Sequence, residues 1–264
     1  MRKVQNNCSI IFYFFFFKCY LCGVETIRGI VLKAVRYNDT SLIVGVFTSA
    51  YGYMPFLVKQ QQGKTATRSS AFLQPLSMIE FQADIRQNGR MARPSDIHFY
   101  YKYTDVPYSP VKTTVMLFIA EFLSAVLRDE RQNPSLYQYV ETSLQWFDGA
   151  NAPTAIANFH LVFLMHLSRF IGIYPNFESP SDYFDLLSGT YQPVPPLHHN
   201  YIKEEEASKL PLLFRMNYST AHLFKFSAVQ RRRIVEVLNT FYRIHIPSFP
   251  ELKSLPVLHE VFAY

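Results

Sequence analysis

The stretch from Thr26 to Gln74 constrains this chain most, because short β runs alternate there with turn signals and then give way to a loop of cations. Thr26-Ile-Arg-Gly-Ile-Val-Leu-Lys-Ala-Val-Arg36 is β-branched and partly alternating, and Asn38-Asp39 is a turn. Leu42–Phe47 is a second apolar run, and Ala50-Tyr-Gly-Tyr53 turns the chain again before Met54–Lys59. Strands this short, punctuated at roughly 8 to 12 residues, predict a small barrel or sandwich. Lys59 leads into Gln60–Ser70, which adds Lys64 and Arg68 and no acid. Such a loop suits a nucleic-acid backbone, and it also suits plain solvation.

The β pattern resumes at Phe72–Phe81 and Ala83-Asp-Ile85, with apolar residues alternating at Ile79, Phe81, Ala83 and Ile85. Asn88-Gly89 is a hairpin turn, since Asn-Gly accepts positive φ at little cost. Ser95–Tyr101 completes a set of about five strands, the number of an OB-type barrel. Barrels of that kind stack bases on aromatics while cations track phosphates. Tyr37, Tyr51, Tyr53 and Phe56 are candidate stackers, although for any single one filling the barrel is the better reading.

Tyr103–Pro110 reads as the junction to a different chemistry. Ser109-Pro110 is an N-cap with proline at the first helical position. Val111–Arg128 then shows helical spacing at Val115, Phe118, Ile119, Phe122, Leu123 and Val126. Asn133-Pro134 opens a second helix that Gly149 closes, and Pro153 opens a third, Thr154–Ile173. The third is apolar nearly all round, which places it at the centre of a bundle. His160 and His166 lie six apart on it, off any common face, and read as packed histidines rather than metal ligands. Residues 174–200 are an excursion rich in Pro, Ser and Tyr. Tyr201–Met216 is expected to be one helix, and Ser227 caps a last one from Ala228 to about Ile246. Arg231-Arg-Arg233 stands in its first turns, where cations oppose the helix dipole unless an anion lies near.

Charge separates the two halves. Residues 25–105 hold ten Lys and Arg against six Asp and Glu, whereas residues 106–264 hold thirteen against fourteen. A basic β half beside a near-neutral helical half predicts a polyanion partner for the first. Three cysteines, all before residue 23, provide no disulfide framework and fit a reducing cytoplasm. Cys19-Tyr-Leu-Cys22 has the spacing of half a zinc site, with no second pair beside it.

Residues 1–24 differ from the rest. Arg2 and Lys3 precede Ser9–Phe17, an apolar run interrupted by Lys18 and too short for the roughly 18 to 20 residues of a bilayer span. A signal-peptide core lacks its cleavage site here. The segment reads as an extension ahead of a natural start near Val24, or as a membrane anchor.

No catalytic motif is present. The chain has no Walker loop, no Gly-x-Gly-x-x-Gly, no Gly-x-Ser-x-Gly, no His-Glu-x-x-His and no grouped carboxylates for two-metal chemistry. His198-His199 lacks a carboxylate at ligand spacing in the sequence. Binding without catalysis, without a cofactor and without a metal is therefore expected.

Arg28-Gly-Ile-Val-Leu-Lys, Tyr37-Asn-Asp39 and Leu42–Gly52 together resemble the opening of the bacterial recombination mediator family RecO. The basic Lys59–Arg68 loop leading to Leu73-Gln-Pro-Leu76 is similar to the family's next segment, and Phe241–Ile246 with Leu252-Lys-Ser-Leu255 to its closing helix. The resemblance implies an N-terminal OB-fold and a helical C-terminal domain. It also implies binding and annealing of single-stranded DNA, contact with duplex DNA, and partnership with RecR and the acidic tail of single-strand-binding protein to help load RecA. Many family members carry four zinc cysteines after a Gly-x-x-Pro turn. Gly172-Ile-Tyr-Pro175 is present, but Asn176–His199 contains no cysteine.

These readings converge on an α+β chain of two domains, an OB-fold β-barrel over residues 25–105 followed by an all-α helical bundle over 106–264, in the cytoplasm. Arg28, Lys33, Arg36, Lys59, Lys64 and Arg68 are the expected DNA contacts, and Arg231, Arg232 and Arg233 the expected contacts for an acidic partner. The alternative is a membrane-associated protein-interaction module whose basic barrel meets anionic lipid.

Overall fold

The computed structural model describes residues 23–60, 70–85 and 91–262. Lys64, Arg68, the Asn88-Gly89 turn and the Phe-rich run with all three cysteines lie outside the described residues. The chain divides into two compact units, one running to Lys102 and including Asp129–Asn133, the other taking Tyr103–Arg128 and everything from Pro134.

Unit one is a five-stranded antiparallel sheet. Its strands are β1 (Val24–Asn38), β2 (Ser41–Thr48), β3 (Gly52–Lys59), β4 (Met78–Asp84) and β5 (Ser95–Tyr101), in the order β3-β2-β1-β4-β5. The Leu57 N–H donates to the Ala92 carbonyl at 3.0 Å, which ties β3 to the segment leading into β5 and gives the sheet an OB-like character. Register explains which side chains fill the inside. Val31 pairs with Val46, Val44 with Phe56, and Ile27 with Phe81, and paired residues share a face. These join Ile79, Ala83, Leu73 and Ala92 in one buried core, with Phe56 edge-on to Phe81 at 4.9 Å. Phe56 is therefore interior, which removes it from the stacking candidates. The strand expected from Phe72 begins only at Met78, because the segment before it turns through a residue of positive φ at Leu76.

β1 serves both β2 and β4, and it does so by bulging. Leu32 and Tyr37 are extra residues where its register against β2 shifts. Each bulge bends and twists the strand, so one fifteen-residue strand wraps two neighbours.

Unit two is helical. Its helices are α1 (Pro110–Val126), α2 (Pro134–Gly149), α3 (Pro153–Phe170), α4 (Glu204–Ala207), α5 (Leu210–Arg215), α6 (Ala228–His245) and α7 (Ser254–Val261). Ser109 caps α1 by accepting from the Lys112 N–H, and Ser227 forms a reciprocal capping box with Gln230 at α6. α3 is buried on nearly every side, through Phe159, Leu161, Val162, Phe163, Leu164 and Leu167. Phe147 of α2 stacks on Phe159 at 4.0 Å, and the Tyr242 hydroxyl of α6 donates to the Leu164 carbonyl at 2.7 Å.

A polar lock ties the start of this unit together. Asp148 is buried and accepts from the backbone N–H groups of Thr104, Asp105 and Val106 and from the Thr104 hydroxyl. Lys112, also buried, donates to the Asp148 carbonyl at 2.8 Å and pairs with Asp105. The excursion at 174–200 is partly strand. β6 (Tyr183–Asp185) pairs with β7 (Thr190–Gln192) and with β8 (Tyr201–Lys203). The helix expected over Tyr201–Met216 is consequently broken into β8, α4 and α5. Pairing of Ile202 with Phe184 claims its first turn, and Pro211 restarts it near the N-terminus of α5.

Candidate nucleic-acid interface

Alternation along the strands assigns each cation a face. Lys33 stands opposite Gly45, and Lys59 opposite Ser41, four residues further along β2. Both therefore project from the outer face, spaced along the strand direction by roughly 13 Å. Between them the same face carries Val35, Ile43, Pro55 and Leu57, half-buried or exposed, with Val35 54% exposed. The outer face of strands 2 and 3 is where OB-type barrels receive oligonucleotides. Tyr53 belongs to this face as well. A Cβ at Gly45 would lie 2.5 Å from its hydroxyl oxygen, so glycine at 45 is what lets the ring settle beside Lys33. The turn that begins β3 is equally specific: Gly52 has φ +72°, and a Cβ there would come within 2.4 Å of the Arg131 backbone.

Arg28 shares the outer face but not the neighbourhood. Ile30, Phe47 and Met78 lie between it and Lys33, all buried. Its Nε donates to Glu80 Oε2 at 2.8 Å, and the guanidinium sits over the Tyr100 ring at 5.1 Å. The hydrogen bond from Arg28 holds the Glu80 carboxyl below its ordinary range, and His98 adds a second contact at 3.2 Å. Arg36 pairs with Leu42 and so points to the opposite side, where it donates to Asp39 at 3.1 Å. Tyr37, in the second bulge, is 61% exposed, whereas the Tyr51 hydroxyl is engaged by Glu25. Lys33 and Lys59 are thus the pair that the fold places on one open face, and Lys59 leads directly toward the loop of Lys64 and Arg68.

In unit two the arginine run is divided in its roles. Arg231 turns inward, and its Nη1 donates to the Phe226 carbonyl at 2.6 Å. Arg233 forms a forked pair with Glu206 at 2.8 to 3.2 Å, and Arg232 is exposed. Arg233 stands at the rim of an apolar groove of about 390 Å³, lined by Phe177, Leu213, Phe214, Phe226 and Val237, with Lys209 also at its edge. Sequence reasoning missed this groove, because its walls come from segments 60 residues apart whose apolar positions look like ordinary core.

The chain matches the family model described as Recombination protein O N terminal over residues 24–99, and Recombination protein O C terminal over residues 107–256. The chain belongs to the RecO family. It is 46% identical over 237 residues to the DNA repair protein RecO of Bacteroides fragilis, covering 89% of this chain and 97% of that protein. The DNA repair protein RecO of Phocaeicola vulgatus is 44% identical over the same length, and that of Flavobacterium psychrophilum 28% over 240 residues. The N-terminal RecO model falls on the OB-like sheet and the C-terminal one on the helical unit. Zinc, which the resemblance brings to mind at residues 174–200, does not fit the donors present. No cysteine occurs there, and His198 meets Asp185 at 3.3 Å without a third ligand-type side chain among the described residues. Among the described residues no helix is long and apolar enough to cross a membrane, and the Phe-rich run behind the membrane-associated reading lies outside them.

Proposed function

We propose that this RecO-family protein binds single-stranded and duplex DNA through the outer β2–β3 face of its OB-like sheet and anneals complementary strands. The observation that carries this reading is the common face of Lys33 and Lys59, with Tyr53 beside them and the basic loop adjoining. Cations at phosphates release counterions and screen one strand from another, so two strands held on one surface pair more readily. Arg28 would join at the margin of this face once it leaves Glu80, whereas Arg36 points to the opposite side and keeps Asp39. Exposed ion pairs of that kind are worth roughly 0–1 kcal/mol, a small barrier to exchange for phosphate. No step requires bond chemistry or a cofactor.

The partners in this reading are RecR, the acidic tail of single-strand-binding protein, and RecA, which the complex helps to load in the cytoplasm. The apolar groove beside α6 suits the tail: apolar tail residues enter it while Lys209 and Arg233 meet the acids, Arg231 and Arg232 lying outside its lining. Arg233 is the best placed of the three, since it already holds one carboxylate at the rim.

Strand annealing tests the first part. The wild-type protein should accelerate pairing of two complementary labelled oligonucleotides, and Lys33→Ala/Lys59→Ala should slow it at least several-fold. Annealing unaffected by the double substitution would reject this face.

A further inference from the structure

Beneath α6, away from the groove, three polar nitrogens converge without partners. His160 Nδ1, Arg231 Nε and His259 Nε2 are each buried and make no hydrogen bond among the described residues. All three residues line one cavity of about 10 Å³, together with Leu258, Val235 and Phe262. His160 is 1% exposed, its ring stacked on Phe262 at 5.5 Å and edge-on to Phe118. The Arg231 guanidinium lies over the same Phe262 ring at 5.6 Å.

The size of the cavity admits one monatomic species or one water. Charge decides between them. Arg231 is half-buried, and none of the ion pairs among the described residues involves it. A charge-assisted hydrogen bond from Arg231 Nε to an anion in the cavity is stronger than one to a neutral water. Arg232 and Glu236 also act on His259, and Arg231 and His259 on His160, so the surroundings carry two arginines against one carboxylate. We propose that this cavity is a binding site for a single halide-class anion, held between α3, α6 and α7 by Arg231 Nε, His160 and His259. Each imidazole donates from the nitrogen that faces the cavity, a tautomer choice open to a neutral ring. The anion thereby fastens α7 to the centre of the helical unit.

Crystals of the full chain grown in sodium bromide, with diffraction recorded at the bromine edge, test the site directly. An anomalous peak within hydrogen-bonding reach of Arg231 Nε and His160 Nδ1 is expected. Thermal unfolding in sodium chloride and in sodium gluconate at equal ionic strength provides the second reading. Wild type should melt about 2–6 °C higher in chloride. That gap should close in His160→Phe, which keeps the ring stack, and in Arg231→Gln should the first variant fold poorly. Density without an anomalous signal, together with equal melting temperatures in the two salts, would mean a water site and overturn the proposal. A chloride gap that persists in both variants would overturn it too.

Discussion

Asp148 shows how much a single buried side chain holds in this molecule. Its carboxylate satisfies three backbone N–H groups and one hydroxyl, and its carbonyl receives the buried Lys112 ammonium. Asp148→Ala orphans those donors and should destabilise the helical unit by about 3–5 kcal/mol in urea unfolding, while Asp148→Asn should cost less. Gly52→Ala should also be costly, about 2 kcal/mol or more, from its positive φ and the Arg131 backbone contact. Glu121 gives a pH prediction. Burial raises its pKa, but hydrogen bonds from the Ser254 side chain and the Ser254 and Lys253 N–H groups outweigh that and leave it lowered. A lowered folded pKa means that its stabilisation is present above the ordinary value of 4.5 and is lost as pH falls through the lower folded value. Melting temperature followed from pH 6 to pH 3, a range chosen to span that ordinary carboxylate value, should therefore fall less steeply in Glu121→Gln than in wild type. Equal slopes would show that these hydrogen bonds contribute nothing.

At the level of elements, helices with long apolar periods and clear caps were legible, and the pairings of short strands were not. Ser109-Pro110 and Ser227 mark their helices because the capping chemistry is local: each hydroxyl needs only its own first turn. Ser227→Ala should cost about 1 kcal/mol, measurable by thermal unfolding. β6–β8 escaped notice because three-residue strands carry no period, and Ile202 enters the sheet only through Phe184, distant in sequence. The Tyr201–Met216 stretch has helical composition, and tertiary pairing overrode it. The same region, which holds no cysteine, is packed with aromatic rings instead. Phe177 stacks with Phe184 at 5.7 Å and meets Phe214 at 4.7 Å, while Tyr191 lies edge-on to Phe184 at 5.1 Å. Phe184→Ala should accordingly cost about 3–5 kcal/mol, whereas a chelator should leave the melting temperature unchanged. A drop in melting temperature with chelator would place a metal in this segment after all.

For the whole molecule, charge distribution along the chain pointed to the β half, but only the register says which cations act together. Arg28, Lys33 and Arg36 read as one basic strand. The Leu32 bulge and the buried strip of Ile30, Phe47 and Met78 separate Arg28 from Lys33, and alternation turns Arg36 to the other side. Neither a bulge nor a covered outer face leaves a trace in composition, because those residues look like any other β-strand positions. Phe56 illustrates the same limit, since alternation alone does not say which face is inside.

The measurement that bears most directly on this account is the salt dependence of single-stranded DNA affinity for wild type and for Lys33→Ala/Lys59→Ala. Each phosphate contact removed should lower the slope of log affinity against log salt by about 0.7, so the double variant should lose roughly 1.4 along with affinity at low salt. An unchanged slope and unchanged affinity would contradict the proposal that this face grips the DNA backbone.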